Sequence, residues 1–176
     1  MIETERLILR AFIDSDREPW AAMNADAQVM RHFPALLSRA EADAVIERVN
    51  SKIAETGAGF WALERKSDGQ FLGFAGLNQI GHEHLPIYGQ WEVGWRLRRE
   101  AWGHGYASEA GAAALAHGFG PMALPRILAY TAITNKPSEA VMQRLGMRRA
   151  AEMDFEHPLV PEGNPIRPHI VYLKEA

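Results

Sequence analysis

The sequence predicts an α/β protein of the α+β kind, built on a mixed, mostly antiparallel central sheet with helices on both faces. Three observations carry this. Short apolar segments of period two alternate with longer segments of period 3.6, in the order β-α-α-β-β-β-α-β-α-β-β. Two of the strand-like segments are joined by a tight Asp-Gly turn, which sets them antiparallel. The later strand-helix-strand alternation needs crossover connections, which lay helices on the faces of the sheet. A chain of 176 residues, 47% hydrophobic and 23% charged, has the composition of one ordinary folded domain, and no repeat or Gly/Ser linker divides it. Residues 1–176 are therefore read as a single domain.

Leu7 and Leu9, flanked by Arg6 and Arg10, alternate as a first strand. Asp14 or Ser15 is placed to cap a short helix running toward Asn24. Ser38 followed three residues later by Glu41 is a capping box, and Val45, Ile46, Val49 and Ile53 recur at helical spacing until Gly57. Phe60 to Arg65 and Phe71 to Asn78 read as strands around the turn Lys66-Ser67-Asp68-Gly69. Gly81 to Pro86 reads as an exposed loop. Gln90 to Leu97 alternates again, with Trp91, Val93, Trp95 and Leu97 on one face and Gln90, Glu92, Gly94 and Arg96 on the other. Ala107 to Phe119 is an alanine-rich helix, with Ala110, Ala113 and Ala114 small enough to lie close on a sheet. Ile127 to Thr134 is a strand, Pro137 opens a helix through Leu145, and Gly146 ends it. Two last strands, Arg148 to Phe155 and Arg167 to Leu173, flank a loop rich in proline and glycine.

Composition excludes several chemistries. No cysteine is present, so disulfides, thiolate metal sites and a cysteine nucleophile are ruled out. Nineteen basic against 22 acidic residues leave a net charge of −3, without the basic excess that drives binding to nucleic acid. Glu3, Glu5, Arg6 and Arg10 interrupt the apolar core a signal peptide needs, and no later stretch is apolar enough to span a membrane. A cytoplasmic protein with no nucleic-acid or membrane partner is expected. His82 and His84 around Glu83 lack an evident third ligand, so they read as solvated surface and no metal is expected.

The segment richest in chemistry is Trp95 to Ala110, WRLRREAWGHGYASEA, where a strand ends, Gly103 and Gly105 bracket His104, and a helix begins at once. Helix starts leave backbone N–H groups unsatisfied and carry the positive end of the dipole, so a glycine-rich entry there can cradle a phosphate. The alternative is that two glycines merely make a tight turn. No Lys-Ser/Thr pair closes the loop as in a Walker motif, and the third glycine of a dinucleotide fingerprint is missing.

The window Glu100 to Gly105 resembles the pyrophosphate loop of the GCN5-related N-acetyltransferases (GNAT), whose pattern is Gln/Arg-x-x-Gly-x-Gly/Ala, in the form found in the RimJ/RimL-like branch. Glu3 to Phe12, Glu92-Val93-Gly94-Trp95, Asn135-Lys136-Pro137-Ser138 and Met142 to Met147 are similar to further segments of that family, so the resemblance spans nearly the whole chain. It implies acetyl-CoA as acyl donor, bound where two parallel strands splay apart. On that resemblance, groups near Trp95 and Leu97 hold the acetyl and pantetheine arm, and amides of Trp102, Gly103, His104, Gly105, Tyr106 and Ala107 hold the pyrophosphate. Asn135 and Ser138 line the thiol end. Glu100 departs from the pattern, and a carboxylate beside a pyrophosphate is unfavourable; Arg98 and Arg99 are near enough in sequence to offset it or are plain surface charges.

The implied reaction is acetyl transfer to a primary amine, on a peptide or protein N-terminus or a small amino compound, by direct attack in a ternary complex. Glu92 is the candidate general base, directly or through a water, with a structural carboxylate paired to an arginine as the alternative. The tyrosine that many relatives use as acid is replaced by Met142, leaving Ser138 or no acid at all. Phe33, with Pro34, and Asp154, Glu156 and His157 are candidates for the acceptor side, and exposed aromatic edges offer a face for a homodimer. A non-catalytic CoA-binding protein is the competing reading, motivated by Glu100 and Met142; a metal hydrolase built on His82 and His84 is a distant third.

Overall fold

The computed structural model describes residues 1–176. Its sheet contains β1 (Ile2–Glu3), β2 (Leu7–Arg10), β3 (Phe60–Arg65), β4 (Phe71–Gln79), β5 (Trp91–Leu97), β6 (Arg126–Ala132), β7 (Arg148–Arg149), β8 (Phe155–Glu156) and β9 (Pro168–Glu175). The spatial order is β1-β2-β3-β4-β5-β6-β9-β7, with β8 also paired to β9. Every neighbouring pair is antiparallel except β5 and β6, which run parallel and meet at one pair of residues, Glu92 and Leu128. Four helices cover the sheet: α1 (Arg17–Ala25), α2 (Arg39–Thr56), α3 (Tyr106–Phe119) and α4 (Lys136–Arg144). The mixed, mostly antiparallel α/β architecture follows the sequence pattern.

Alternation along the strands explains the two layers. Trp61 and Leu63 on β3 face the core under α3 and α4, whereas Phe60 and Ala62 face the layer formed by α1 and α2. Helix α3 lies close on the sheet because Ala110, Gly111 and Ala114 are its buried residues at the contact. On the other face Trp20 of α1 donates its indole N–H to the Ala42 carbonyl of α2 at 2.8 Å, which satisfies a buried donor and locks the two helices together. The capping box of α2 forms as the sequence indicates, Ser38 Oγ accepting from the Glu41 N–H.

Four local expectations need correction. Neither Asp14 nor Ser15 caps α1: residues Asp14–Asp16 form a 3-10 turn, and Asp16 accepts the Ile13 N–H at 2.9 Å while pairing with Arg10 at 2.6 Å. The pair β1 is too short to leave a periodic signal. The loop after β4 is exposed from Gly81 to His84 and at Pro86, but Leu85 within it is buried, as is Ile87 beyond it, with Ile80, Leu128 and Val171 against the sheet. The strand expected over Arg148 to Phe155 is broken into β7 and β8 by a 3-10 turn at Ala151–Met153. There the ladder is completed by a side chain, since Asp154 Oδ1 accepts the Val171 N–H at 3.1 Å and also binds Arg149 Nη1 at 2.7 Å. No helix is long and apolar enough to cross a membrane.

Candidate active site

Beyond Glu92 and Leu128 the strands β5 and β6 separate. The Arg98 N–H donates to Leu72 O, so alternation turns the backbone groups of Arg96 and Gly94 toward β4 and those of Leu97, Trp95 and Val93 toward the gap. The Ile133 N–H donates to Pro168 O, which by the same reasoning leaves the backbone of Tyr130 and Ala132 facing the gap from β6. Apart from the Ala132 carbonyl, which accepts the Asn135 N–H at 2.8 Å, peptide groups left unpaired by β4 and β9 line both sides of a wedge. The wedge opens into a cavity of about 920 Å³, which includes Trp95, Leu97, Trp102, Gly103, Gly105, Tyr106, Ala107, Asn135 and Ser138 among its walls.

The loop between β5 and α3 forms one end of that cavity. Gly103 and Gly105 have φ of 79° and 81°, a left-handed conformation in which a Cβ is strained. The Trp102 N–H is taken by Arg99 O, and the next N–H with a partner is that of Glu109, bonded to Gly105 O. Six consecutive amides, Gly103 to Ser108, therefore have no acceptor in the chain. The open run is displaced by one residue from the expected Trp102 to Ala107. Such a helix start favours an anion by up to ~2 kcal/mol when partly buried.

The loop is anchored from the far edge of the sheet. Glu109, in the first turn of α3, accepts the Arg6 N–H at 2.9 Å, Arg6 Nε at 2.7 Å and Thr4 Oγ1 at 2.5 Å. Arg6 Nη1 donates to the His104 carbonyl at 3.0 Å. Arg6 and Glu109 thus couple two segments about 100 positions apart, a pairing with no local signature. His104 itself is exposed and stands outside the cavity wall. Glu100 is also turned away, 3.5 Å from Arg98, and Arg99 pairs with Asp26 at 2.8 Å. The charge conflict expected from Glu100 does not arise at the loop.

At the other end Glu92 lines the cavity and is the single acidic residue there, against Arg31, Arg96 and Arg144. No arginine pairs with it. Its Oε1 accepts Asn78 Nδ2 at 2.9 Å, and Asn78 Oδ1 accepts Lys52 Nζ at 2.8 Å, a relay reaching from α2 across β4. Loss of bulk solvent pushes the Glu92 carboxyl up to about 7, opposed by the Asn78 bond and the Lys52 charge. Burial also pushes Lys52 down. The Tyr130 phenol, raised by burial and by Glu92, stays protonated in the same cavity. Lys52, Asn78 and Tyr130 were not legible as site residues, because strand register brings Asn78 and Tyr130 to Glu92 and the packing of α2 on the sheet brings Lys52.

The remaining candidates divide. Phe33, Pro34 and His157 line the cavity, as does His169, whose ring centroid is 4.9 Å from that of His157. Burial holds both imidazoles below the usual histidine value, hence neutral at pH 7. Asp154 lies outside the cavity and is engaged by Arg149 and Val171; Glu156 pairs with Arg167 at 3.1 Å. Asn135 caps α4 by accepting the Ser138 N–H, while the Ser138 hydroxyl makes no hydrogen bond in the chain. Leu97 O is occupied by the Trp102 indole N–H at 2.8 Å, so on this strand Trp95 and Val93 keep the free carbonyls. Met142 is buried at the cavity wall. No group of three or more His, Asp or Glu side chains converges in a way that could hold a metal ion.

Comparison with known proteins supplies the family. Residues 6–148 match the acetyltransferase (GNAT) domain model. The chain is 32% identical over 164 residues to the uncharacterized N-acetyltransferase YnaD of Bacillus subtilis, covering 93% of this chain and 89% of the relative. A GNAT-family acetyltransferase from Bacillus anthracis has the same fold, with a TM-score of 0.80, 27% identity, and 99% and 97% of the two chains covered. RimJ of Mycobacterium smegmatis, solved with CoA-disulfide, shares the fold with a TM-score of 0.75 at 22% identity, over 97% and 82% of the chains. With most of its length matched, including the splayed strands and the glycine loop, this protein belongs to the GNAT family of acetyltransferases.

Proposed function

We propose that this protein is an acetyl-CoA-dependent N-acetyltransferase that acylates a primary amine while both substrates are bound. The observation that carries the reading is the run of six unpartnered amides from Gly103 to Ser108, joined through one cavity to a carboxylate raised to about 7. The residues fit the donor: the glycine loop presents N–H groups without side-chain obstruction, and the wedge presents unpaired peptide groups to an amide-bearing arm. Acetyl-CoA would supply the activated acyl carbon and a leaving thiol.

The chain's own residues do the rest. Amides Gly103 to Ser108 bind the pyrophosphate, and the peptide groups of Val93, Trp95, Tyr130 and Ala132 orient the pantetheine arm. Glu92, half ionised near pH 7, accepts the ammonium or amine proton, directly or through one water. Ser138 Oγ donates toward the sulfur; where it does not, a thiol with a pKa near ~8.5 leaves without an acid. A peptide or protein N-terminus and a small amino compound are the acceptor classes in view.

The deciding experiment measures thiol release from acetyl-CoA against a panel of amines, with calorimetry of acetyl-CoA and CoA alongside. Amine-dependent turnover supports the proposal. Binding without turnover across the panel identifies a non-catalytic CoA-binding protein, and absence of binding overturns the whole reading.

Two variants test its parts. Gly105→Ala imposes a side chain at φ 81° and is expected to weaken CoA about tenfold by calorimetry, with little change in kcat at saturation. Asn78→Ala removes a bond that favours the ionised form of Glu92, so the acidic limb of kcat/KM moves to higher pH. The rate at pH 6 then falls about fivefold while the plateau at pH 9 is retained. An unmoved limb would exclude Glu92 as the group that titrates.

A further inference from the structure

Strand alternation places Arg96 on the same face of β5 as Glu92, four residues on and about 13 Å away along the strand. They are too far apart to pair. The guanidinium sits among three aromatic rings, with its central carbon 5.5 Å from the Trp20 centroid, 4.6 Å from Phe33 and 5.2 Å from Phe74. Its single hydrogen bond in the chain runs from Nη1 to Met30 Sδ at 2.8 Å, a weak acceptor. The Nε–H is shut off from water and has no partner, and no carboxylate lies within ion-pairing distance. Burial pushes this arginine down to about 10, so it remains charged at neutral pH.

A buried cation without a counter-ion is costly unless something supplies the missing charge. Aromatic faces return only a part of it. The Nε side is closed, whereas Nη2, also without a partner in the chain, is not sealed from the cavity, so a carboxylate is taken at the Nη1–Nη2 end of the guanidinium. Arg96 also lines the same cavity as Glu92, on the face of β5 turned toward α1 and the segment after it, away from the glycine loop and α3. The charge is therefore on the acceptor side of the wedge, remote from the amides assigned to the pyrophosphate.

We infer that Arg96 is a specificity-determining residue that takes a carboxylate of the acceptor, so the preferred substrate is an amine that is also an acid: an amino acid or a short peptide with a free carboxylate. The inference rests on the N-acetyltransferase reading above. One planar fork with a single positive charge suits a carboxylate, and the aromatic walls exclude the water that would weaken the pair. The amine end of the same molecule lies toward Glu92, so one strand face reads both ends of the acceptor. The cavity wall also carries an exposed cation, Arg31, which favours entry of an acid.

The test compares dipeptides with a free C-terminus against the same dipeptides amidated, together with amino acids against their amides, each rate normalised to the concentration of neutral amine. The parent enzyme is expected to prefer the acids at least tenfold in kcat/KM, chiefly through KM. In Arg96→Met that ratio falls to near one, and in Arg96→Lys it is intermediate, since an ammonium keeps the charge without the fork. Calorimetry of N-acetylated dipeptide acid against its amide, with CoA present, reads the same preference without turnover. This arm separates failure of the carboxylate assignment from failure of the transferase reading. Equal use and equal binding of acid and amide by the parent would overturn the assignment, as would an acid preference that survives in a folded Arg96→Met protein.

Discussion

Glu92→Gln is expected to lower kcat/KM by about 10²–10³-fold and to flatten the pH profile through neutrality, the loss typical of a positioned general base. The amide keeps the shape of the side chain and the bond from Asn78 but cannot accept the amine proton. In the parent the same rate should rise as pH passes about 7, because the carboxylate is the active form and burial sets its midpoint there. Stability moves in the opposite sense. The folded-state carboxyl lies above its ordinary value of 4.5, so the folded protein holds its proton more tightly, and this group subtracts stability as pH rises from about 4.5 through about 7. Glutamine removes that loss: the variant should melt no lower than the parent at pH 8, and the advantage should vanish at pH 4. Thermal denaturation at the two pH values, beside thiol-release kinetics, distinguishes a lost base from a damaged fold. Full turnover by Glu92→Gln across the pH range would remove it from the mechanism.

Gly73→Ala is expected to cost about 4 kcal/mol, on the order of a 10 °C drop in Tm for a chain of this size. Gly73 has φ 139°, and a Cβ there would stand 2.2 Å from the Arg96 carbonyl and 2.7 Å from the Leu97 Cα. Both obstacles are backbone, so no side-chain rotation relieves them. The strands β4 and β5 must part where β5 carries Arg96 and Leu97, which distorts the wedge as well as the ladder. Calorimetric melting of parent and variant checks this; a variant that melts within 2 °C of the parent, as expected for about 1 kcal/mol or less, would show that the close approach at Gly73 is dispensable.

Much of the architecture could be read without coordinates because it depends on neighbours in sequence. The capping box Ser38 and Glu41, the alternation of Phe60 to Arg65, and the glycine entry to α3 are each set within a few residues, where propensity and periodicity act. The same alternation placed Glu92 and Arg96 on one face of β5. It said nothing of what would lie opposite them. Local reasoning failed where a distant group substituted for a local one. Asp16 holds the Ile13 N–H and Arg10 where a local cap was expected, and Asp154 takes a ladder position beside Val171 where the strand expected over Arg148 to Phe155 is broken by a 3-10 turn.

The order of periodic segments was enough to specify a mixed sheet between helical layers, and one strand-to-helix junction was enough to mark the open run of amides at the start of α3. Which side chains acquire chemistry was decided by folding. The Glu92 carboxyl is raised to about 7 because the surrounding protein excludes water, while Asn78 and Lys52, reaching it across β4, hold it from rising further. Arg96 becomes an unpaired cation because Trp20, Phe33 and Phe74, from three separate segments, close around it. Arg6 becomes the clasp of the glycine loop because β2 lies beside the start of α3. The physical reason is common to all three: desolvation and charge pairing depend on separation in space, and in a sheet that separation is set by register between strands remote along the chain.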